Sequence, residues 1–316
     1  MRFCWPLAVV LAGCYGPTVH PGAPCGPSGE CPSNLECISG MCLPPGTLLD
    51  DAQSLDDASI DSSMVTFDAP ADADPSYVPW GMPIEIPSLN AISGMSEDDP
   101  SFTLNRLTVI ETSSSPEDLY ECIRPAIGQA FACTAIAALN SAMAEVSPEI
   151  SPDGVTLYFV SNRAGTDDVY TSTKGVGGWA APTLVTQLST TGSNEGDVAI
   201  APDGLLAVVE HGGHFGFHTR ASTALPFGAG TDHNELAVAA NIAAPSITNG
   251  GAIIYFHAGT TRDLYVARRM GNGNYTTPSP VTELNTAGRD AAPFVSADDK
   301  YMMFERDGDI FETSRP

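Results

Sequence analysis

Carboxylates recur at one place along this chain. Glu97, Glu145, Glu195 and Asp290 each stand three residues before a proline or its counterpart, Val198. Acids crowded at one end of a channel raise one another's pKa or hold a cation. Acids that cap turns accept hydrogen bonds from backbone amides instead, and that is the simpler reading of these four. Directly after the same proline position come Ser101, Glu149, Ala199, Ser246 and Phe294. Their types differ, as those of a recognition surface would. Glycoside hydrolysis needs paired carboxylates, so Glu149 with Glu145 or Glu195 is the pair to consider for a hydrolase or lyase. His211, His214 and His218 form a second group. In a hairpin they could converge on zinc, whereas strand alternation would scatter the rings over both faces of a sheet. No serine elbow, phosphate loop, dinucleotide fingerprint or His-Glu-x-x-His motif occurs. No cofactor is implied.

The cysteines point to export. Met1 and Arg2 precede an apolar run from Phe3 to Ala12, too short to span a bilayer and suited to a signal segment. It ends Leu11-Ala12-Gly13-Cys14, which resembles the lipobox of bacterial lipoproteins. That resemblance implies cleavage after residue 13, lipidation of Cys14 and acylation of the new amino terminus. Tyr15 in the next position favours the outer membrane by the same resemblance. Cys25, Cys31, Cys37 and Cys42 lie in a Gly- and Pro-rich run without histidine. In an exported chain they read as two disulfides, for which three pairings exist. The run looks like the Cys-rich modules that follow the lipid site in lipoproteins of myxobacteria and their relatives. Cys122 and Cys133 remain as a further pair.

Residues 48–78 carry Asp50, Asp51, Asp56, Asp57, Asp61, Asp68, Asp72 and Asp74 with no Lys or Arg. Like charges and little periodic apolar material make this an extended tether. Over the whole chain 38 acidic residues face 13 basic ones, a net charge of −25. Such a surface repels nucleic acid and leaves the lipid as the only tie to a membrane.

The acids and histidines must be positioned by the chain from residue 80 onward, and that part repeats. Asn105, Asp153, Asp203, Asn249 and Asp298 are spaced 48, 50, 46 and 49 residues apart, the length of a propeller blade. Each unit reads as a short inner strand, an Asp-Gly or Asn-Gly type turn suited to positive φ, and a strongly apolar second strand. An Asp-x-Tyr strand follows, as in Asp118-Leu-Tyr120, Asp168-Val-Tyr170 and Asp263-Leu-Tyr265. In the third unit that position reads Gly216-Phe217-His218. A fourth strand is heralded by Trp179 with Pro182 and Tyr275 with Pro278. Ser151-Pro-Asp-Gly154, Asn162-Arg163 and Asp168-Val-Tyr170 make the pattern similar to the PD40 repeat, the WD40-like propeller repeat of TolB-type periplasmic proteins. The resemblance covers residue 80 to the end. It implies an all-β propeller and protein partners at the outer membrane.

The fifth unit reaches the end of the chain one strand short. Trp80-Gly-Met-Pro83 and the residues to Asn90 match the fourth-strand signal and precede the first unit. That N-terminal strand should complete the last blade beside residues 309–313, giving five blades of four antiparallel strands with no open edge. A bond between Cys122 and Cys133 would close the loop between the third and fourth strands of the first blade. The expected division is a signal peptide at 1–13, a lipidated and disulfide-rich segment at 14–47, a tether at 48–78 and a propeller at 79–316. The expected function is non-catalytic: an envelope lipoprotein whose propeller binds or scaffolds protein. Carbohydrate chemistry at the channel is one alternative. Lectin-like glycan binding in grooves near Trp80, Trp179 and Tyr275 is another.

Overall fold

The computed structural model describes residues 36–38, 41–43, 77–91, 97–114, 117–190 and 192–316. The chain forms two units, Met1–Leu55 and Asp56–Pro316. In the first, Glu36–Ile38 pairs antiparallel with Met41–Leu43, which sets Cys37 opposite Cys42. The signal segment, Cys14, Cys25, Cys31 and the tether up to residue 76 lie outside the described residues.

The second unit is a five-bladed β-propeller. Blade 1 runs outward through Glu97–Phe102, Thr108–Ser114, Glu117–Ile123 and Ala132–Ala135. Blade 2 runs through Glu145–Ile150, Thr156–Ser161, Asp168–Gly175 and Thr183–Leu184, with Gly178–Trp179 as an added ribbon. Blade 3 is Glu195–Ile200, Leu206–His211, His214–Thr219 and Thr231–Asp232. Blade 4 is Ala243–Ile247, Ile253–Ala258, Asp263–Arg268 and Ser279–Pro280. Blade 5 takes Asp290–Val295, Tyr301–Arg306 and Asp309–Ser314, and its outer strand is Ile84–Glu85 from the far end of the chain. The closure read from the sequence is therefore present, with Phe311 opposite Glu85 and Glu312 opposite Ile84. Backbone bonds extend it from Gly81 N–H to the Ser314 carbonyl and from Ile86 N–H to the Ile310 carbonyl, both 2.9 Å. A Cβ on Gly81 would lie 2.8 Å from the Ser314 oxygen, so only glycine permits the approach.

The apolar second strands do not meet at one centre. They pack blade against blade. Ile110, Leu119 and Leu139 of blade 1 pack on Leu157, Phe159 and Tyr170 of blade 2, and four similar clusters fill the other gaps. Between blades 5 and 1 the cluster joins Ile86, Leu89, Phe102, Val109 and Met303. Burial of this kind stabilises by about 25 cal/mol per Å² of apolar surface.

Each turn from inner to second strand places a residue in the left-handed region: Arg106 (φ 56°), Gly154 (72°), Gly204 (71°), Gly250 (63°, with Gly251 at 68° beside it) and Asp299 (62°). Asp153, Asp203 and Asn105 each accept a bond from the amide two residues on. A second repeated device went unread in the sequence. Arg124, Lys174, Arg220, Arg269 and Arg315 each stand six residues after the first residue of the Asp-x-Tyr position. The Nε atoms of Arg124, Arg220 and Arg315 donate to the carbonyls of the left-handed turn residues Arg106, Gly204 and Asp299. Four of the five cations also lie over an aromatic ring: Phe131, Trp179, Phe227 and Trp80. In blades 1, 3 and 5 one arginine thus ties the inner turn to an aromatic just ahead of the outer strand, with Arg315 reaching across the chain termini to do so.

Blade 3 corrects one expectation. His211 is opposite His214 and Val209 is opposite Gly216, so His214-Phe215-Gly216 takes the Asp-x-Tyr position, two residues earlier than the sequence suggested. Blade 1 carries the expected Cys122–Cys133 disulfide, between directly opposed residues of its third and outer strands. Opening this bond by Cys122→Ser with Cys133→Ser should cost about 2–3 kcal/mol through the freed loop of the unfolded chain. Urea unfolding of the double variant against the parent measures it.

Candidate functional site at the channel mouth

The inner strands surround the channel, and each carries a bulge. Register shifts fall between Asp98 and Ser101, Val146 and Glu149, Glu195 and Val198, Ala243 and Ser246, and Ala291 and Phe294. The bulge residue precedes the repeat proline. Four of these residues are left-handed without being glycine: Asp99 (φ 49°), Ser147 (51°), Ala244 (47°) and Ala292 (46°). The bulges sort the sequence-predicted residues into two structural roles.

The carboxylates before the bulge do not enter the channel. Glu145, Glu195 and Asp290 are buried under the links between blades. Glu145 accepts bonds from the Ser141 amide and hydroxyl, from Ser161 and from Arg163. Asp290 accepts from the Thr286 amide and hydroxyl and from Arg306. Glu195 accepts from the Thr190 amide. These acids cap turns, which is how burying a carboxylate is made tolerable. Glu97 belongs to the inner strand of blade 1, and its side chain lies outside the described structure.

The residues after the bulge join neighbouring blades. Ser101 Oγ accepts from Ile150 N–H at 2.7 Å and Ser246 Oγ from Val295 N–H at 2.9 Å. Glu149 accepts from the Ile200 amide, and burial pushes its carboxyl well above the usual range. Phe294 packs edge-on against Phe102 at 4.7 Å. The space left between Asp99, Ser147, Glu149, Ala244 and Phe294 is about 20 Å³. That admits a single water molecule, not a sugar ring. Of the aromatics considered for glycans, Trp80 and Tyr275 are buried and Trp179 is half-buried.

Above this constriction stands a polar ring that the sequence did not disclose. Asp99 Oδ2 accepts from the Ser147 amide at 3.2 Å, Ser147 Oγ from the Val198 amide at 3.2 Å, and Asp197 Oδ2 from the Ala244 amide at 2.9 Å. The Ala292 amide donates to Nδ1 of the buried His257 at 3.3 Å. Blades 2 to 5 therefore each hand a backbone donor to a side chain of the blade before, whereas the Asp99 amide of blade 1 donates to Asp98 of its own blade. Arg289 spans blades 5 and 1, pairing with Asp98 at 2.6 Å and with the buried Glu305 at 2.8 Å. Burial and the neighbouring carboxylates raise Asp99 and Asp197. Burial and Asp98 outweigh Arg289 and push Glu305 up to about 7. Burial, helped by Arg262 and Arg289, drives His257 down to about 3. The oxygens of the ring do not converge as a chelate. Among the described residues the one set of three ligand atoms within 4.8 Å of one another is Glu111, Cys122 and Cys133, and those two sulfurs are bonded to each other. A shallow cleft of about 500 Å³ adjoins the ring, lined by Ser193, Asn194, Gly196, Glu210, His211 and Gly212.

No family model and no curated protein matches the chain. Solved propellers do. TolB from Acinetobacter baumannii aligns at 16% identity and TM-score 0.41, over 71% of this chain and 55% of that one. A TolB candidate from Agrobacterium tumefaciens aligns at 17% identity and TM-score 0.40, over 71% and 76%. XC5397, a gluconolactonase from Xanthomonas campestris, aligns at 10% identity and TM-score 0.45, over 70% and 86%. At these values the likeness goes no further than the architecture, and the blade count rests on the strand pairing itself.

His211, His214 and His218 all belong to blade 3. The pairing of His211 with His214, and the even spacing of His214, Gly216 and His218, put all three on one face of the sheet. The scattering that strand alternation could have produced does not occur, because the two-residue turn at Gly212 and Gly213 brings the second strand back in phase.

Proposed function

We propose that the chain is a non-catalytic, lipid-anchored envelope protein whose propeller docks another protein. The observation that carries this reading is the contrast between the two ends of the ring. At one end the channel is filled and its acids are committed to backbone amides. The other end gathers the turns from inner to second strands and the loops from third to outer strands. There Leu104, Ile127, Val155, Val176, Leu225 and Met270 stand exposed. Of the basic side chains there Arg269 is exposed and Arg220 half-buried, whereas Arg124 is buried, Lys174 pairs with Glu121 and Arg315 with Asp299. Exposed apolar side chains gathered at one end suit a protein with a complementary apolar surface. In this reading Cys14 carries the lipid and the acidic segment of 48–78 spaces the propeller from the membrane.

Photo-crosslinking side chains placed singly at Val176 and Leu225, and at Met143 and Val238 of the opposite end, test it in intact envelopes. Discrete protein adducts are expected from the first two positions and not from the last two. Equal labelling from both ends overturns the reading. So does recovery of glycan fragments, or polysaccharide cleavage that is lost in Glu149→Gln.

A further inference from the structure

Blade 1 breaks the repeat at one core position. The second-strand residue opposite the Asp-x-Tyr aromatic is Phe159, Phe256 and Phe304 in blades 2, 4 and 5, and Val209 stands opposite Gly216 in blade 3. In blades 2, 4 and 5 the two rings stack at 6.0, 5.9 and 6.1 Å. Blade 1 has Glu111 there, opposite Tyr120 and fully buried. A carboxylate in a place built for a phenyl ring is costly unless the fold has a use for its charge.

The same blade holds the cysteine pair of the propeller. Cys122 and Cys133 are directly opposed, and Cys122 lies two residues after Tyr120, so Glu111 and both cysteines share one face of the sheet. Glu111 Oε1 stands 3.0 Å from Cys122 Sγ and 3.7 Å from Cys133 Sγ. Sulfurs bonded to each other carry no hydrogen to offer that oxygen. Parted, they are two thiolates, the ligands zinc favours, and the carboxylate is a third.

The spacing fits a tetrahedral ion. Zinc bonds of about 2.3 Å to sulfur and about 2.1 Å to oxygen put two sulfurs about 3.8 Å apart and a sulfur about 3.6 Å from an oxygen. The two Oε1 distances already bracket the second value. Only the sulfurs have to part. Directly opposed side chains on paired strands, with Cβ atoms about 4.5–5.5 Å apart, allow that without a change of register.

We propose that the reduced Cys122 and Cys133 pair binds one zinc ion together with Glu111 inside blade 1. A dithiol reductant opens the bond: two electrons and two protons pass from it to the pair, and it leaves as a disulfide. Zinc then takes the place of the two thiol protons, which go to solvent, and bonds both sulfurs and Oε1. Cys133 is half-buried, which gives the ion a way in and leaves water the fourth position. The newly made chain, before its disulfide forms, is in the same state. Ion and disulfide are therefore alternatives, and bound zinc delays oxidation of the pair.

The test is zinc titration of the full chain, reduced by a phosphine, against a chromophoric chelator. The reduced Cys122→Ser/Cys133→Ser chain should bind one equivalent fewer than the reduced parent, whatever the other cysteines bind in both. Cobalt(II) in the parent should add thiolate-to-metal absorption that the double variant lacks. Oxidised parent and oxidised double variant should bind alike. Glu111→Gln should weaken the extra equivalent by about tenfold or more. Glu111→Phe installs the residue of blades 2, 4 and 5. It should abolish that equivalent while the disulfide still forms and the unfolding midpoint of the oxidised chain does not fall. Equal stoichiometry in reduced parent and double variant at about 100 µM zinc, where a site of micromolar affinity is filled, overturns the site. Unchanged affinity in Glu111→Gln does so as well.

Discussion

Trp80→Ala should destabilise the propeller by about 4 kcal/mol, within the 3–5 kcal/mol range for truncating a buried aromatic. Trp80 is 4% exposed and packs with Tyr255, Leu264, Leu284, Val295 and Phe304 in the seam between blades 4 and 5. Its ring meets Tyr255 edge-on at 5.9 Å, and Arg315 lies 4.3 Å above it. The same ring anchors the segment that supplies the outer strand of blade 5, so its loss acts on closure as well as on packing. The Ile310 amide, held at 2.7 Å by Asn90 Oδ1, and the Gly81 amide report the latch directly. Urea unfolding should show the loss in stability. Hydrogen exchange at Gly81, Ile86 and Ile310 should accelerate well beyond that of second-strand amides such as Phe159. A loss below 1 kcal/mol, with those amides still protected, would mean that the ring closes without this strand.

The latch was legible because its signal is local. Trp80 to Pro83 repeats the spacing of Trp179 to Pro182, and a terminal blade lacking one strand demands a donor. The turns were legible for the same reason, since five Asx-type positions at blade spacing specify left-handed residues even where Arg106 and Asp299 replace glycine. The register of blade 3 was not. With no tyrosine to align, Phe217 took the eye, and only strand pairing shows that Gly216 holds that place. Nor was the polar ring, because the bulges decide which side chains reach the channel and no residue type marks a bulge. The residue before the repeat proline, as in Asp99-Pro100 and Ser147-Pro148, was the available clue. The clamping arginines were equally available, six residues past each Asp-x-Tyr start. They escape notice because a single Arg at a strand end looks like ordinary solvated charge until its guanidinium is seen over a ring.

Glu305→Gln should change how stability depends on pH more than it changes stability at any one pH. The Glu305 carboxyl moves from 4.5 to about 7 on folding. A carboxyl raised in this way binds its proton more tightly in the fold. Its contribution is fully present below pH 4.5 and is lost as pH rises through 7. At 1.36 kcal/mol per pKa unit the loss is about 3 kcal/mol. His257 works in the opposite sense. Its pKa falls from 6.5 to about 3 on folding, so its contribution is present above pH 6.5 and is lost as pH falls toward 3. Between pH 4.5 and 6.5 the two slopes cancel, and Asp99, Asp197 and Glu149, all raised, tilt the parent toward greater stability in mild acid. Glutamine keeps the shape of the protonated acid and leaves Asp98 to hold Arg289. The variant should therefore match the parent near pH 4.5 and exceed it by about 3 kcal/mol at pH 8. Its own curve should fall more steeply below pH 6.5, where His257 is no longer opposed. Guanidinium unfolding at half-unit intervals from pH 4 to pH 8 resolves the difference. A constant offset between the two curves would mean that Glu305 titrates alike in the folded and unfolded chain, and that Arg289, rather than burial, governs its charge.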